Sequence, residues 1–251
     1  MHRFFVRPNY IAGDSVQFDP ALGHRLRNVL RLNKGDLIVL LDGQGNEYVV
    51  ELVHAPNGGL QGCVVSAAPA RGEPRTRITL YQALIKGSNF EFVLQKCTEI
   101  GVASFVPVVC SRCVASLASE SRAERWRNIV TEAAQQSGRG ELPAIRPVLS
   151  FEAACRVCGP VAILPWESEQ TADIRGVLTR FRQTSDMDKV SILIGPEGGF
   201  TDDEVETARK HGIEVVSLGR RVLRAETAGL VTAALALYES GDLERTHLSR
   251  T

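Results

Sequence analysis

The residues best placed to do chemistry begin where an apolar run ends. Val190-Ser191-Ile192-Leu193-Ile194 empties into Gly195-Pro196-Glu197-Gly198-Gly199-Phe200, and Thr201 with Glu204 three residues on has the pattern of a helix start. Glycines in such a loop let the backbone come close to a ligand, and ligands of open α/β sheets sit beyond the carboxyl ends of strands. The loop lacks the Lys-Ser/Thr of a phosphate loop and the G-x-G-x-x-G spacing of a dinucleotide site. Glu197 would repel a phosphate and suits a cationic or hydroxyl-rich ligand; a plain tight turn also fits these residues. A second loop, Leu218-Gly219-Arg220-Arg221-Val222-Leu223-Arg224-Ala225-Glu226-Thr227-Ala228, sets three arginines and a glutamate between two apolar stretches. Polar groups so near a core need partners. Those partners are either one another, as Arg224 with Glu226, or a bound molecule, and two such loops at neighbouring strand ends favour the molecule.

A third group comprises Lys86, Arg112, Gln135, Gln136, Ser137, Arg139 and Arg146. Arg139 stands in Ser137-Gly138-Arg139-Gly140 just past an expected helix end, either as a mobile arginine that holds a phosphate or base edge or as a solvated terminus. The chain has 5 histidines, widely scattered, with no Ser-His-Asp arrangement and no H-E-x-x-H, which disfavours triad or metal hydrolysis. Cys110/Cys113 and Cys155/Cys158 have C-x-x-C spacing, but the pairs stand too far apart for a zinc ribbon, so free thiols and no metal are expected.

Elements must position these loops. From Ile78 onward strand and helix alternate: Ile78 to Ile85, a helix from Ser88 to Ile100 with Glu91 in a capping box, Phe105 to Val109, and a helix from about Ser121 to Ser137. Strands at Val161 to Leu164, Val190 to Ile194 and Glu214 to Leu218 come next, then a helix from about Glu226 to Ser240. This rhythm predicts an α/β domain with a mostly parallel sheet covered on both faces. The first seventy residues read as short strands, among them Asp36 to Leu41, Glu47 to His54 and Gly62 to Ala67, with turns at Asp42-Gly43-Gln44-Gly45 and Asn57-Gly58-Gly59. A helix from His24 to Leu32 turns Leu26, Val29, Leu30 and Leu32 inward, and a small β-barrel with one helix is the natural packing. Pro69 to Arg75 has linker composition, giving domains at 1–70 and 78–251 joined by 71–77.

Net charge is 0, yet Pro20 to Gly35 contains no acidic residue while His24, Arg25, Arg27, Arg31 and Lys34 cluster there. Such a local patch suits nucleic acid bound at one place, or is a solvated helix face. With 44% hydrophobic and 23% charged residues, no membrane-spanning run and no signal-peptide pattern at the start, a cytoplasmic protein is expected.

Gly195-Pro196-Glu197-Gly198-Gly199 together with Leu218-Gly219-x-x-Val222-Leu223-Arg224-Ala225-Glu226-Thr227-Ala228 closely resembles the SPOUT superfamily of knotted methyltransferases. Within it the chain resembles the small-subunit ribosomal RNA (uracil-N3)-methyltransferase family over nearly its whole length. His24 with Val29-Leu30-Arg31-Leu32, Gly35-Asp36 and Asp42-Gly43 resemble that family's PUA-like domain. Lys86, Glu91, Lys96, Glu99-Ile100-Gly101-Val102, Pro107, Arg112, Ala134 to Arg139 and Pro143 resemble the first half of its catalytic domain. The resemblance implies a deep C-terminal trefoil knot, a homodimer and S-adenosylmethionine as methyl donor, held by Leu164, Gly195, Pro196, Glu197, Gly198, Gly199, Leu218, Gly219, Leu223, Arg224, Thr227 and Ala228.

It also implies methylation of N3 of one uridine in ribosomal RNA, with the assembled small subunit as the expected substrate. Arg139 and Arg224 are then candidates for RNA phosphate or uracil oxygens, Glu197 or Glu226 for organising the site, and the base stays unassigned. Arg139, Arg224 and Glu226 form the expected catalytic set. His24, Arg25, Arg27, Arg31, Lys86, Arg112 and Arg139 are the expected RNA contacts. Rival readings are a 2′-O-ribose or guanine-N1 methyltransferase of the same superfamily, a non-catalytic RNA-binding protein, and a phosphotransferase, for which no phosphate-gripping loop is present.

Overall fold

The computed structural model describes residues 1–55, 59–114, 120–184 and 187–244. The chain divides into two compact units, Met1–Glu73 with Ala134–Leu142, and Pro74–Ala133 with Pro143–Thr251.

The first unit contains β1 (Arg3–Phe5), β2 (Ile11–Ala12), β3 (Ser15–Val16), α1 (Pro20–His24), β4 (Leu37–Leu41), β5 (Asn46–His54) and β6 (Leu60–Pro69). They form one sheet in the order β1-β4-β5-β6-β3-β2, antiparallel except for β1 beside β4. Leu37-Ile38-Val39-Leu40-Leu41 is apolar throughout, and its last four residues are buried. The turn after it closes as its residue types predict: Asp42 Oδ1 accepts from the amides of Gln44 (2.8 Å) and Asn46 (3.0 Å). Asn57 and Gly58 of the second expected turn lie outside the described residues.

The helix expected over His24 to Leu32 differs from that reading. Asp19 caps a helix that starts at Pro20, accepting from the Leu22 amide at 2.7 Å, and after His24 the chain widens into a π-helical turn, Arg25–Val29. A π turn holds more residues than an α turn, so the 3.6-residue register breaks down: Leu26 is buried, whereas Val29 is 64% exposed. Arg31 then takes a left-handed φ of 55°.

The second unit comprises β7 (Arg77–Ala83), α2 (Asn89–Ile100), β8 (Ser104–Val109), α3 (Glu120–Ser137, whose last turn belongs to the first unit), β9 (Ala144–Ile145), β10 (Leu149–Ser150) and α4 (Phe151–Val157). It continues with β11 (Val161–Pro165), α5 (Ile174–Thr184), β12 (Lys189–Ile194), α6 (Asp202–Lys210), β13 (Glu214–Val216) and α7 (Ala225–Glu239). The sheet order is β10-β8-β7-β12-β11-β13 with β9 also on β8, and every pairing is parallel. Alternate residues of a strand face opposite sides. Ile78, Leu80, Ile163 and Ile192 accordingly enter one buried cluster, and Tyr81, Ala83, Ala162 and Leu193 the other. Covering helices on both faces explain why these strands read as continuous apolar runs.

The chain enters β12 between β7 and β11, runs to the edge at β13, then returns so that α7 packs on β7, β12 and α2. On the way it passes the loop after β11, where Ser217 donates to the Ala172 carbonyl (2.8 Å) and accepts from Ile174 N–H (3.2 Å). The strand order therefore turns about β7, which places a crevice at the carboxyl ends beside it.

The stretch read as a linker is held in place: the Arg75 and Thr76 amides donate to Asp242 at 3.0 and 2.8 Å. Pro74 lies against Gly101, which has a φ of 114° and whose added Cβ would come within 2.4 Å of the proline ring. Ser88 makes no side-chain cap at α2, contrary to the expected capping box: its backbone is helical (φ −77°, ψ −6°) where a capping residue is extended, and Glu91 pairs with Arg125 at 2.7 Å. Among the described residues no helix is long and apolar enough to cross a membrane.

Candidate active site

The loop after β12 is fixed before any ligand enters. Gly199 N–H donates to the Pro196 carbonyl (2.9 Å), and Gly199 has a φ of 69°. Phe200 is buried beside Phe151, their ring centroids 5.3 Å apart, and packs under Gly195. Thr201 and Glu204 cap α6 reciprocally, as expected, and Glu204 Oε1 also accepts from the Ser111 amide at 2.8 Å. Arg112, exposed, donates to the Gly198 carbonyl (2.8 Å), and the Lys86 amide donates to Glu197 Oε1 (2.8 Å). Segments following β7 and β8 thus grip the glycine loop.

The loop after β13 is pinned at its base, where Gly219 N–H donates to Ser217 Oγ at 3.2 Å. Arg220, Arg221 and Val222 are exposed, and Arg224 precedes α7 with its guanidinium 4.0 Å from Glu226 Oε1. The third wall is formed by Pro165, the last residue of β11, with Trp166 and Glu167 just beyond it. Glu169 braces this wall, accepting from Thr171 Oγ1 (2.6 Å), two amides and Arg209 (2.7 Å). These bonds, the Thr171 hydroxyl foremost, hold its carboxyl down to about 2.

Between the three loops lie two adjoining cavities of about 360 and 100 Å³. Both are lined by Pro165, Glu167, Val222, Leu223 and Ala228. Gly195, Pro196, Glu197, Gly199, Arg224 and Glu226 line the larger, and Leu218 and Gly219 the smaller. The larger therefore combines three carboxylates, one guanidinium and apolar walls, an environment for a ligand that is part cation and part flat apolar ring.

Several expected residues stand elsewhere. Leu164 is buried in the core; its successors Pro165 and Glu167 do the lining. Gly198 faces Arg112, and Thr227 lines neither cavity. Arg139, expected as a mobile arginine, is 2% exposed and paired with Glu73 at 2.7 Å inside the first unit. His24, Arg25, Arg27 and Arg31 are exposed on that unit, where His24 and Arg27 line a groove of about 820 Å³ and Arg25 lies over the Phe4 ring. Asn89, Ser217 and Val222 line the cavities although sequence alone did not mark them as ligands. Their available signal was position just beyond a strand end, or, for Asn89, at the first residue of an apolar helix.

All six cysteines are free thiols, and among the described residues no three ligand-type side chains gather as a metal would require. The Cys110 thiol hydrogen-bonds Cys113, which lowers Cys113 to about 7 and raises Cys110.

Comparison with known proteins agrees with this architecture. Residues 72–237 match the RNA methyltransferase domain and residues 24–62 the RNA methyltransferase PUA domain. The chain is 36% identical to a ribosomal RNA small subunit methyltransferase E of Synechocystis sp., over 95% of this chain and 78% of that protein. It is 30% identical to the Bacillus subtilis protein of the same name, over 86% and 87%. The crystal structure of a ribosomal RNA small subunit methyltransferase E from Neisseria gonorrhoeae bound to S-adenosyl methionine superposes with a TM-score of 0.83 at 29% identity, covering 95% of this chain and 97% of that one. With the glycine loop and arginine loop lining adjoining cavities at the carboxyl ends of a parallel sheet, this chain belongs to the ribosomal RNA small subunit methyltransferase E family.

Proposed function

We propose that the protein transfers a methyl group from S-adenosylmethionine to N3 of a uridine in small-subunit ribosomal RNA. The observation that carries this reading is the cavity at the carboxyl ends of β11, β12 and β13, set in a chain of this family. Its donor set fits the methyl donor. Glu167, Glu197 and Glu226 supply negative charge for an ammonium and a sulfonium, and Pro165, Val222 and Leu223 supply apolar surface for a purine. Gly195 and Gly199 let the protein's own side chains close on the loop: a Cβ on Gly195 would meet the Phe200 ring at 3.2 Å, and one on Gly199 would fall 2.3 Å from Glu167 Oε1.

When bound, the donor supplies an activated methyl carbon: N3 forms the new N–C bond and the C–S electron pair stays on sulfur. The protein's own task is to align the two and to manage the N3 proton. Arg224, on the cavity wall and exposed, is placed to meet a uracil oxygen or a neighbouring phosphate and to stabilise the anion left when N3 loses its proton. Glu226, half-buried, lies 4.0 Å from that guanidinium and supplies it with a nearby counter-charge. Glu197 has one oxygen committed to the Lys86 amide, which ties it to loop architecture. We assign Arg139, buried and paired with Glu73, to holding its own loop rather than to contacting the substrate.

The basic face of the first unit docks RNA, the assembled small subunit in the cytoplasm is the substrate, and two copies form the working enzyme. A Val222 side chain 80% exposed on the cavity wall supports the last point, since a partner would cover it. Labelled S-adenosylmethionine is incubated with unmodified small subunits and the nucleosides are resolved by mass spectrometry. We expect 3-methyluridine. A different methylated nucleoside would overturn the target atom, and no transfer to subunits or naked RNA would overturn the activity.

A further inference from the structure

Beside the cofactor cavity, in the second unit, a groove of about 720 Å³ lies between the β7–α2 connection and α3. Among the described residues its rim carries Lys86, Arg122 and Arg125 and one carboxylate, Glu91, which pairs with Arg125 at 2.7 Å, with the hydroxyls of Ser88 and Ser121 beside them. Its floor includes Phe90 and Trp126, stacked on each other at 4.4 Å and almost wholly buried. Rings so committed offer no face for a base to stack upon, so the groove's chemistry lies in its cations and hydroxyls. Such a rim matches a phosphate: a lysine as point charge, arginines as planar forks. The groove also shares a wall with the methyl-donor site. Asn89 lines that cavity while Ser88 and Phe90 line the groove, and the Lys86 amide is bonded to Glu197 of the glycine loop.

We infer that this groove holds a backbone phosphate of the substrate RNA strand, next to the nucleotide presented for methylation. The inference rests on the proposed methyl transfer to RNA and adds a second contact region, on α2 and α3, to the basic face of the first unit. Holding a phosphate beside the segment that grips the glycine loop fixes the strand's register at that loop.

The test measures binding of unmodified small-subunit ribosomal RNA across a salt series for the wild type, Arg122→Glu and Glu91→Gln, with S-adenosylmethionine affinity measured beside it. Arg122→Glu is expected to weaken RNA binding about tenfold or more and to flatten the salt slope by about one. Glu91→Gln removes the groove's carboxylate and is expected to tighten RNA binding, a sign that misfolding would not produce. If both variants match the wild type in RNA affinity and slope while the wild type binds and methylates RNA, this inference alone is overturned. Weakening by both variants, or joint loss of RNA and S-adenosylmethionine binding in Arg122→Glu, also overturns it. A wild type that binds no RNA overturns the functional reading and this inference with it.

Discussion

The Glu73 carboxylate gathers four donors: Arg139 Nε (3.3 Å) and Nη2 (2.7 Å), and the amides of Gly140 and Glu141, each at 3.0 Å. Removing one partner of a buried pair leaves the other charge uncompensated. Arg139→Ala should therefore cost roughly 3 kcal/mol of stability, read as a lower urea midpoint. An unchanged midpoint with methyl transfer lost would return Arg139 to the catalytic set. The pairing was illegible in sequence because Ser137-Gly138-Arg139-Gly140 has the look of a loop tip, and its partner is 66 residues away. Glu169 makes the pH-dependent case. Its folded pKa of about 2 lies below the ordinary 4.5, so its stabilisation is present above about pH 4.5 and is lost as pH falls towards 2. Wild type should exceed Glu169→Gln by on the order of 2 kcal/mol at pH 7, with the gap closing by pH 2. A gap that does not vary with pH would show that the carboxylate's charge is irrelevant.

At the level of elements, the strands that carry the site were legible because a strand buried on both faces has few ways to be written. β11 and β12 fall within a residue of their expected bounds. The basic helix was not, since a π turn differs from an α turn by one residue of hydrogen-bond register and leaves no compositional mark. Its consequence is Arg31, whose left-handed backbone costs about 1 kcal/mol for any residue but glycine. Arg31→Gly should raise stability by about that amount, measured by thermal or urea unfolding, while weakening RNA binding. A variant that is no more stable would mean that the backbone is relaxed there. The cavity was half legible for a related reason: residues at strand ends announce themselves, whereas Leu164 and Pro165 are neighbours in sequence with opposite fates, one in the core and one on the wall.

Across the whole molecule, positive and negative charges cancel, 29 against 29, so attraction to RNA has to come from local faces rather than overall charge. Reversing Arg25, Arg27 and Arg31 together should weaken RNA binding at least tenfold at moderate salt and leave S-adenosylmethionine affinity within about twofold. Equal loss of both, measured by titration calorimetry and filter binding, would refute that division between the two units.

The assignment of Ala134–Leu142 to the first unit has a consequence for synthesis. The chain passes between units after Glu73, again after Ala133 and again after Leu142. While the ribosome is still making the first half of the protein, Glu73 has no arginine to face, and the turn between β4 and β5 lacks Glu141, with which Gly43 and Gln44 pair. The amino-terminal unit cannot finish folding when its own sequence ends; it waits for a segment encoded inside its neighbour. No single cut in the gene separates the two, so a recombination event that sought to lend this unit to another enzyme would have to move two pieces together.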